Sequence, residues 1–80
     1  MNGLYPGKMF RIIHRLYYYE KKNDHKYKGC FEPEILIMCL DIDDWFEQAQ
    51  FLVVQTSEKC WIPFLLFDCL DEILDSSKIT

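Results

Sequence analysis

Between Lys8 and Glu20 apolar and polar positions alternate, with Phe10, Ile12, Leu16 and Tyr18 on one face and Arg11, Arg15, Tyr17 and Tyr19 on the other. A period of two in β-branched and aromatic residues predicts a strand, and only His14, which lands on the apolar face, breaks it. Asn2-Gly3 and Pro6-Gly7 are chain breakers, so ordered structure is expected after them. Lys21 to Gly29 is polar and charged and reads as a long solvated loop or the tip of a broad hairpin. Pro33 cannot donate to a ladder, so the next strand is expected after it. Glu34 to Ile42 is nearly continuous apolar sequence, the pattern of a strand covered on both faces.

Asp41 to Gln50 reads as an acidic connection with Trp45-Phe46 at its centre, and Phe51 to Gln55 as a third strand. Thr56 to Lys59 is a four-residue hairpin loop, and Cys60-Trp61-Ile62 returns as a fourth strand that Pro63 stops. Trp61 is expected in the core. Phe64 to Leu74 allows two readings. Leu66, Leu70, Ile73 and Leu74 keep helical spacing, with Asp68 as a cap. Alternatively Phe64–Phe67 is one 3-10 turn and Cys69–Leu74 a short closing strand; this second reading is preferred, because it alone covers the exposed sheet edges.

Eighty residues make one domain (1–80), with an ordered core over about 5–74 and a polar tail over 75–80. Half the residues are hydrophobic and 16% aromatic, which sets the chain apart from disordered sequences. A core this small supplies only roughly 3–5 kcal/mol of net stability, so a homodimer or partner subunit is a natural supplement. The net charge of −4 conceals an asymmetry. Residues 1–29 hold seven basic groups against two acidic ones, net +5, and residues 30–80 hold two against eleven, net −9. Either the halves give a dipolar surface that orients a charged partner, or they interleave in the sheet and cancel. The longest apolar stretches, Ile35–Leu40 and Cys60–Phe67, fall far short of the ~20 residues of a membrane span. With no signal-peptide pattern either, a cytoplasmic chain with reduced cysteines is expected.

Little in the sequence points to catalysis. Cys30, Cys39, Cys60, Cys69, His14 and His25 could supply zinc ligands, but no cysteine pair has the two-to-four-residue spacing that lets one turn aim two ligands at a metal. Cys39, Cys60 and Cys69 sit in apolar runs, where cysteine behaves as a small hydrophobe. Cys30 lies near His25 and Lys28 in a polar loop, an arrangement that favours alkylation or oxidation over catalysis. Asp41, Asp43, Asp44 and Glu47 lack the desolvating cleft a hydrolase needs and the glycine and ligand spacing of a calcium loop. Gly3, Gly7 and Gly29 are too scattered to cradle phosphate. The chain is therefore expected to be no enzyme, with no cofactor and no metal.

Surface recognition remains. Arg11, Arg15, Tyr17 and Tyr19 combine arginine with aromatics, a mixture that forms protein-interface hot spots and also stacks on bases and neutralises phosphates. Trp45 and Phe46 form a second patch, expected to tuck back over one end of the sheet or else to anchor a partner. These six residues are the candidate partner-binding site. A protein partner is the leading expectation. Nucleic-acid binding through the basic and aromatic strand and the Lys21–Lys28 loop is the alternative, and a self-associating structural protein that buries Trp45-Phe46 between copies is a third.

The order of pieces resembles a small SH3-like barrel: Pro6-Gly7 before a first long strand, a long polar loop, two central strands, a tight hairpin, and Trp61-Ile62-Pro63 before a single turn and a closing Leu70–Leu74. The fold class this implies is mostly β: a partly open barrel of about five strands with a short 3-10 or helical turn near the C-terminus. The Ala-Leu-Tyr-Asp-Tyr stretch and paired tryptophans of peptide-binding SH3 domains are missing, so proline-rich ligands are not implied. In size, acidity and aromatic content the chain is similar to small SH3-like proteins of tailed bacteriophages. That resemblance implies a non-enzymatic protein-binding module, phage-encoded and acting in the host cytoplasm as a modulator or inhibitor of a host protein complex.

Overall fold

The computed structural model describes residues 3–73 and is mostly β. Five strands form an antiparallel sheet: β1 (Met9–Ile12), β4 (Leu36–Asp43), β5 (Gln48–Val53), β6 (Lys59–Pro63) and β7 (Leu70–Glu72), in the order β6-β5-β4-β1-β7. β2 (Leu16–Tyr18) and β3 (Gly29–Phe31) form a separate two-stranded ribbon, and a 3-10 helix over Phe64–Cys69 joins β6 to β7. This is the partly open, five-stranded arrangement with a 3-10 turn that the layout of the sequence implies. Leu74 and the polar tail 75–80 lie outside the described residues.

The single strand expected from Lys8 to Glu20 is two. The chain bends at His14, where alternation would have required an apolar side chain, and His14 is exposed. β1 stays in the sheet between β4 and β7, while β2 leaves it and pairs with β3 as the base of a hairpin whose tip is the Lys21–Lys28 segment. Ile13 donates its N–H to the Cys69 carbonyl at 2.8 Å, which fixes the bend against the 3-10 helix. Arg11 therefore does not share a face with Arg15, Tyr17 and Tyr19: it belongs to the sheet, they to the ribbon.

The ribbon is stitched to the open side of the sheet by one bridge. Tyr19 and Trp61 exchange two backbone hydrogen bonds, each 2.8 Å. Two residues further along that register Tyr17 would face Pro63, which has no N–H to give, and the ladder stops there. This is why the barrel is only partly closed.

In β4 the pairing shifts between Cys39, opposite Phe51, and Asp41, opposite Gln50. Leu40 is the extra residue of a β-bulge, and the inward positions change from Ile37 and Cys39 to Ile42. The strand is not covered equally on both faces: Ile37 and Cys39 are buried, whereas Leu36, Met38 and Leu40 are half-buried. The long acidic connection expected over Asp41–Gln50 is only a tight turn at 44–47, because the strands run on to Asp43 and resume at Gln48.

The core is dry. Phe10, Ile12, Leu16, Ile37, Cys39, Ala49, Phe51 and Ile62 are fully buried. Phe51 meets Phe10 and Phe67 edge to face, each with ring centroids 5.9 Å apart. Within and just after the 3-10 helix, Phe64, Phe67 and Leu70 recur every third residue and line up on the core side, as three residues per turn require. The alternative α-helix is not formed over the described part of this segment: the 3-10 helix ends at Cys69 and Leu70–Glu72 is strand. Every buried side-chain nitrogen and oxygen among the described residues has a hydrogen-bond partner.

The charge asymmetry along the chain cancels in space. β1, from the basic half, lies between β4 and β7 from the acidic half. Lys8 Nζ lies 2.9 Å from Glu72 Oε1, Arg11 reaches Asp71 at 3.2 Å and Glu34 at 3.9 Å, and Arg15 meets Glu32 at 3.1 Å. Lys22 Nζ lies 2.7 Å from Asp43 Oδ2.

A candidate aromatic docking surface

Cross-strand geometry gathers the aromatic residues of the ribbon. Arg15, Tyr17 and Tyr19 share its outer face, since successive side chains of a strand alternate. On that face Tyr27, from the hairpin tip, stacks on Tyr19 at 4.6 Å and lies tilted against Tyr17 at 5.3 Å. Burial, reinforced by the Tyr27 hydroxyl, raises the Tyr19 pKa above the ordinary phenol value. Arg15 sits at the end of this cluster, and the Glu32 carboxylate beside it raises its pKa, so the guanidinium remains charged.

Trp61 carries the surface from ribbon to sheet. Cys60 and Ile62 are buried, so the residue between them points to the opposite face, and Trp61 is half-buried there instead of lying in the core. Directly opposed residues of an antiparallel bridge share a face, so Tyr19 and Trp61 are neighbours. Lys22 links Trp61 onward: its Nζ stands 5.4 Å from the Trp61 ring centre and 5.9 Å from that of Phe46. The Asp43 carboxylate holds the same ammonium, and this bond, together with the Phe46 N–H at 3.0 Å, depresses the Asp43 pKa below the ordinary carboxylate value. Next to it the Asn23 N–H donates to Gln48 Oε1 at 3.0 Å, and Gln48 is itself buried.

Trp45 completes the series. The expectation that Trp45-Phe46 folds back over the end of the sheet is wrong for the tryptophan, which is 87% exposed. The turn is too tight to let both rings return: Asp43 Oδ1 caps the Phe46 N–H, Glu47 takes φ +56°, and only Phe46 leans back toward Lys22. The Glu47 carbonyl accepts the Phe64 N–H at 2.8 Å, which brings exposed Leu65 to the same end of the molecule as Trp45. Two patches separate in the sequence thus form one stripe, Tyr17–Tyr27–Tyr19–Trp61–Phe46–Trp45, with Lys22 at its centre.

Of the candidate partner-binding residues, Tyr17, Tyr19, Trp45 and Phe46 lie on this stripe and Arg15 at its margin, whereas Arg11 is engaged with Asp71 and Glu34. Trp61, expected in the core, and Tyr27 and Lys22, which entered only as part of the Lys21–Lys28 loop, were not among the six candidate partner-binding residues. Trp61 was legible from alternation with Cys60 and Ile62. Tyr27 was an isolated aromatic in a lysine-rich loop, and nothing local marks Lys22.

The thiols divide by burial. Burial first, and then the nearby Glu58 charge, push Cys60 up to about 12, and burial followed by Asp41 raises Cys39, so both are held as neutral core thiols. Cys30 is exposed on β3. Among the described residues no group of three or more His, Cys, Asp or Glu side chains is placed to hold a metal ion. Among the described residues no helix is long and apolar enough to cross a membrane. Against known proteins, no family model, no curated protein and no solved structure matches this chain.

Proposed function

We propose that this chain is a non-enzymatic protein-binding module whose docking surface is the aromatic stripe from Tyr17 to Trp45. The observation that carries the proposal is Trp45: a tryptophan left almost wholly in water, at the end of a run of stacked and half-buried aromatics. Large aromatics with a low rotamer count are the side chains that most often dominate binding energy at interfaces. A soluble fold has no reason of stability to leave one so exposed. Part of the stripe is arranged before any partner arrives, since Tyr27 is stacked on Tyr19 and Lys22 stands over Trp61 and Phe46, which lowers the ordering cost of binding at those residues. In line with its small size and its resemblance in style to bacteriophage SH3-like proteins, the partner we propose is a component of a bacterial host complex, bound in the cytoplasm and modulated or inhibited by the contact.

Nucleic-acid binding is the weaker reading. Arg11 and Arg15 each face carboxylates, and a phosphate would have to displace Asp71, Glu34 or Glu32 to reach them.

Tagged parent protein and the variants Trp45→Ser and Tyr27→Ser, each verified as folded, can be exposed to the same bacterial lysate. The expected outcome is one protein recovered reproducibly by the parent and at least tenfold less by both variants. Equal recovery by all three would remove the stripe from the account, and repeated recovery of nothing would count against a protein partner altogether.

A further inference from the structure

Among the described residues the succession β7-β1-β4-β5-β6, continued through the Tyr19–Trp61 bridge to β2 and β3, ends in two strand edges with no further strand beside them. They differ in kind. β7 carries Asp71 and Glu72, held by Arg11 and Lys8, and charged side chains on an edge strand discourage further pairing. β3 is Gly29-Cys30-Phe31, with no charge, and among the described residues no strand lies on its outer side.

The residues flanking β3 have opposite charge on its two sides. Lys26 and Lys28 precede it, and Glu32 and Glu34 follow it. In an antiparallel pairing of two copies about a two-fold axis through Cys30, Lys28 of one copy stands opposite Glu32 of the other, each directly flanking β3. The two-fold generates this pair twice, as an isologous contact must. Gly29 falls opposite Phe31, and neither carries a charge that would oppose the pairing. A shift of one residue breaks every charge pair, and a parallel arrangement sets lysine against lysine and glutamate against glutamate.

We propose that the free edge of β3 is a homodimerisation edge, joining two copies through β3 as an antiparallel four-stranded ribbon in the order β2-β3-β3-β2. The second copy is favoured over a foreign strand because the charge pattern complements itself. Its Lys28 would meet a carboxylate already oriented, since Arg15 holds Glu32 at 3.1 Å. Three residues of edge bury little surface, so the dimer is weak and depends on concentration.

Sedimentation velocity over a wide concentration range, with reductant present, tests this. The parent should shift from monomer toward dimer. Lys28→Glu, which gives up only an exposed 3.9 Å pair with Glu20, should associate about tenfold more weakly. The double change Lys28→Glu with Glu32→Lys should restore association, because the pairs are then reversed but still complementary. A second measurement uses Cys30. Diamide accepts two protons and two electrons as it joins two thiols, and dimeric protein should be cross-linked through Cys30 and through no other cysteine. A parent that stays monomeric at every concentration, a dimer indifferent to Lys28→Glu, a double variant that does not recover, or a cross-link through Cys69 would each overturn the proposal.

Discussion

Asp43 and Lys22 show how much of the surface depends on one residue pair. Asp43 accepts from Lys22 Nζ and from the Phe46 N–H, so its pKa in the folded protein is depressed. A depressed carboxylate contributes stability that is fully present above its unfolded pKa of about 3.9 and is lost as pH falls through the folded value. Asp43→Asn should therefore be less stable than the parent at neutral pH, and the difference should vanish in acid. Urea midpoints measured across that pH range read this directly. A second residue-level prediction concerns Glu34, which follows Pro33 and takes φ +81°. This is the turn position where a side chain is strained and glycine is not. Glu34→Gly should raise stability by about 0.5–1 kcal/mol, the relief of left-handed strain less the added chain entropy. It should appear as a higher denaturation midpoint at unchanged slope.

At the scale of elements, the two-stranded ribbon is the part held least firmly. One bridge, the Lys22 contacts and the Asn23–Gln48 hydrogen bond fasten its outer end, whereas β4, β5 and β6 share continuous ladders. Lys22→Met should speed amide hydrogen exchange in β2, β3 and the loop between them, and leave β4 and β5 exchanging as in the parent. The pairing of β5 with β6, the stop at Pro63 and the closing strand from Leu70 were legible because each rests on a local signal: alternation, a missing N–H, a short apolar run. The bend at His14 was visible only as an exception to a pattern, and a single polar residue on an apolar face does not say whether it is tolerated or turns the chain. The bulge at Leu40 leaves no mark in a run where every residue is apolar. In the 3-10 helix, Phe64, Phe67 and Leu70 repeat every three residues, but over so short a stretch that pattern competes with the four-residue spacing of Leu66 and Leu70. Half of the candidate site was legible for the same reason. Tyr17, Tyr19, Trp45 and Phe46 are conspicuous as residues, whereas their union through Lys22 and Trp61 depends on where the hairpin tip lands.

Over the whole molecule, topology undoes what the linear sequence suggests. A chain basic at one end and acidic at the other folds with β1 between acidic neighbours, and its charges pair across the sheet. What distinguishes the surface is the aromatic stripe, and its most exposed member gives the most direct test. A benzoyl-phenylalanine photo-cross-linker can replace Trp45 in one protein and Gln55 in another. These positions lie in turns at opposite ends of β5, about 20 Å apart. Irradiation in a bacterial lysate should give one discrete adduct from position 45 and none from position 55. Adducts of equal yield from both positions, or from position 55 alone, would contradict the claim that partners dock on the stripe.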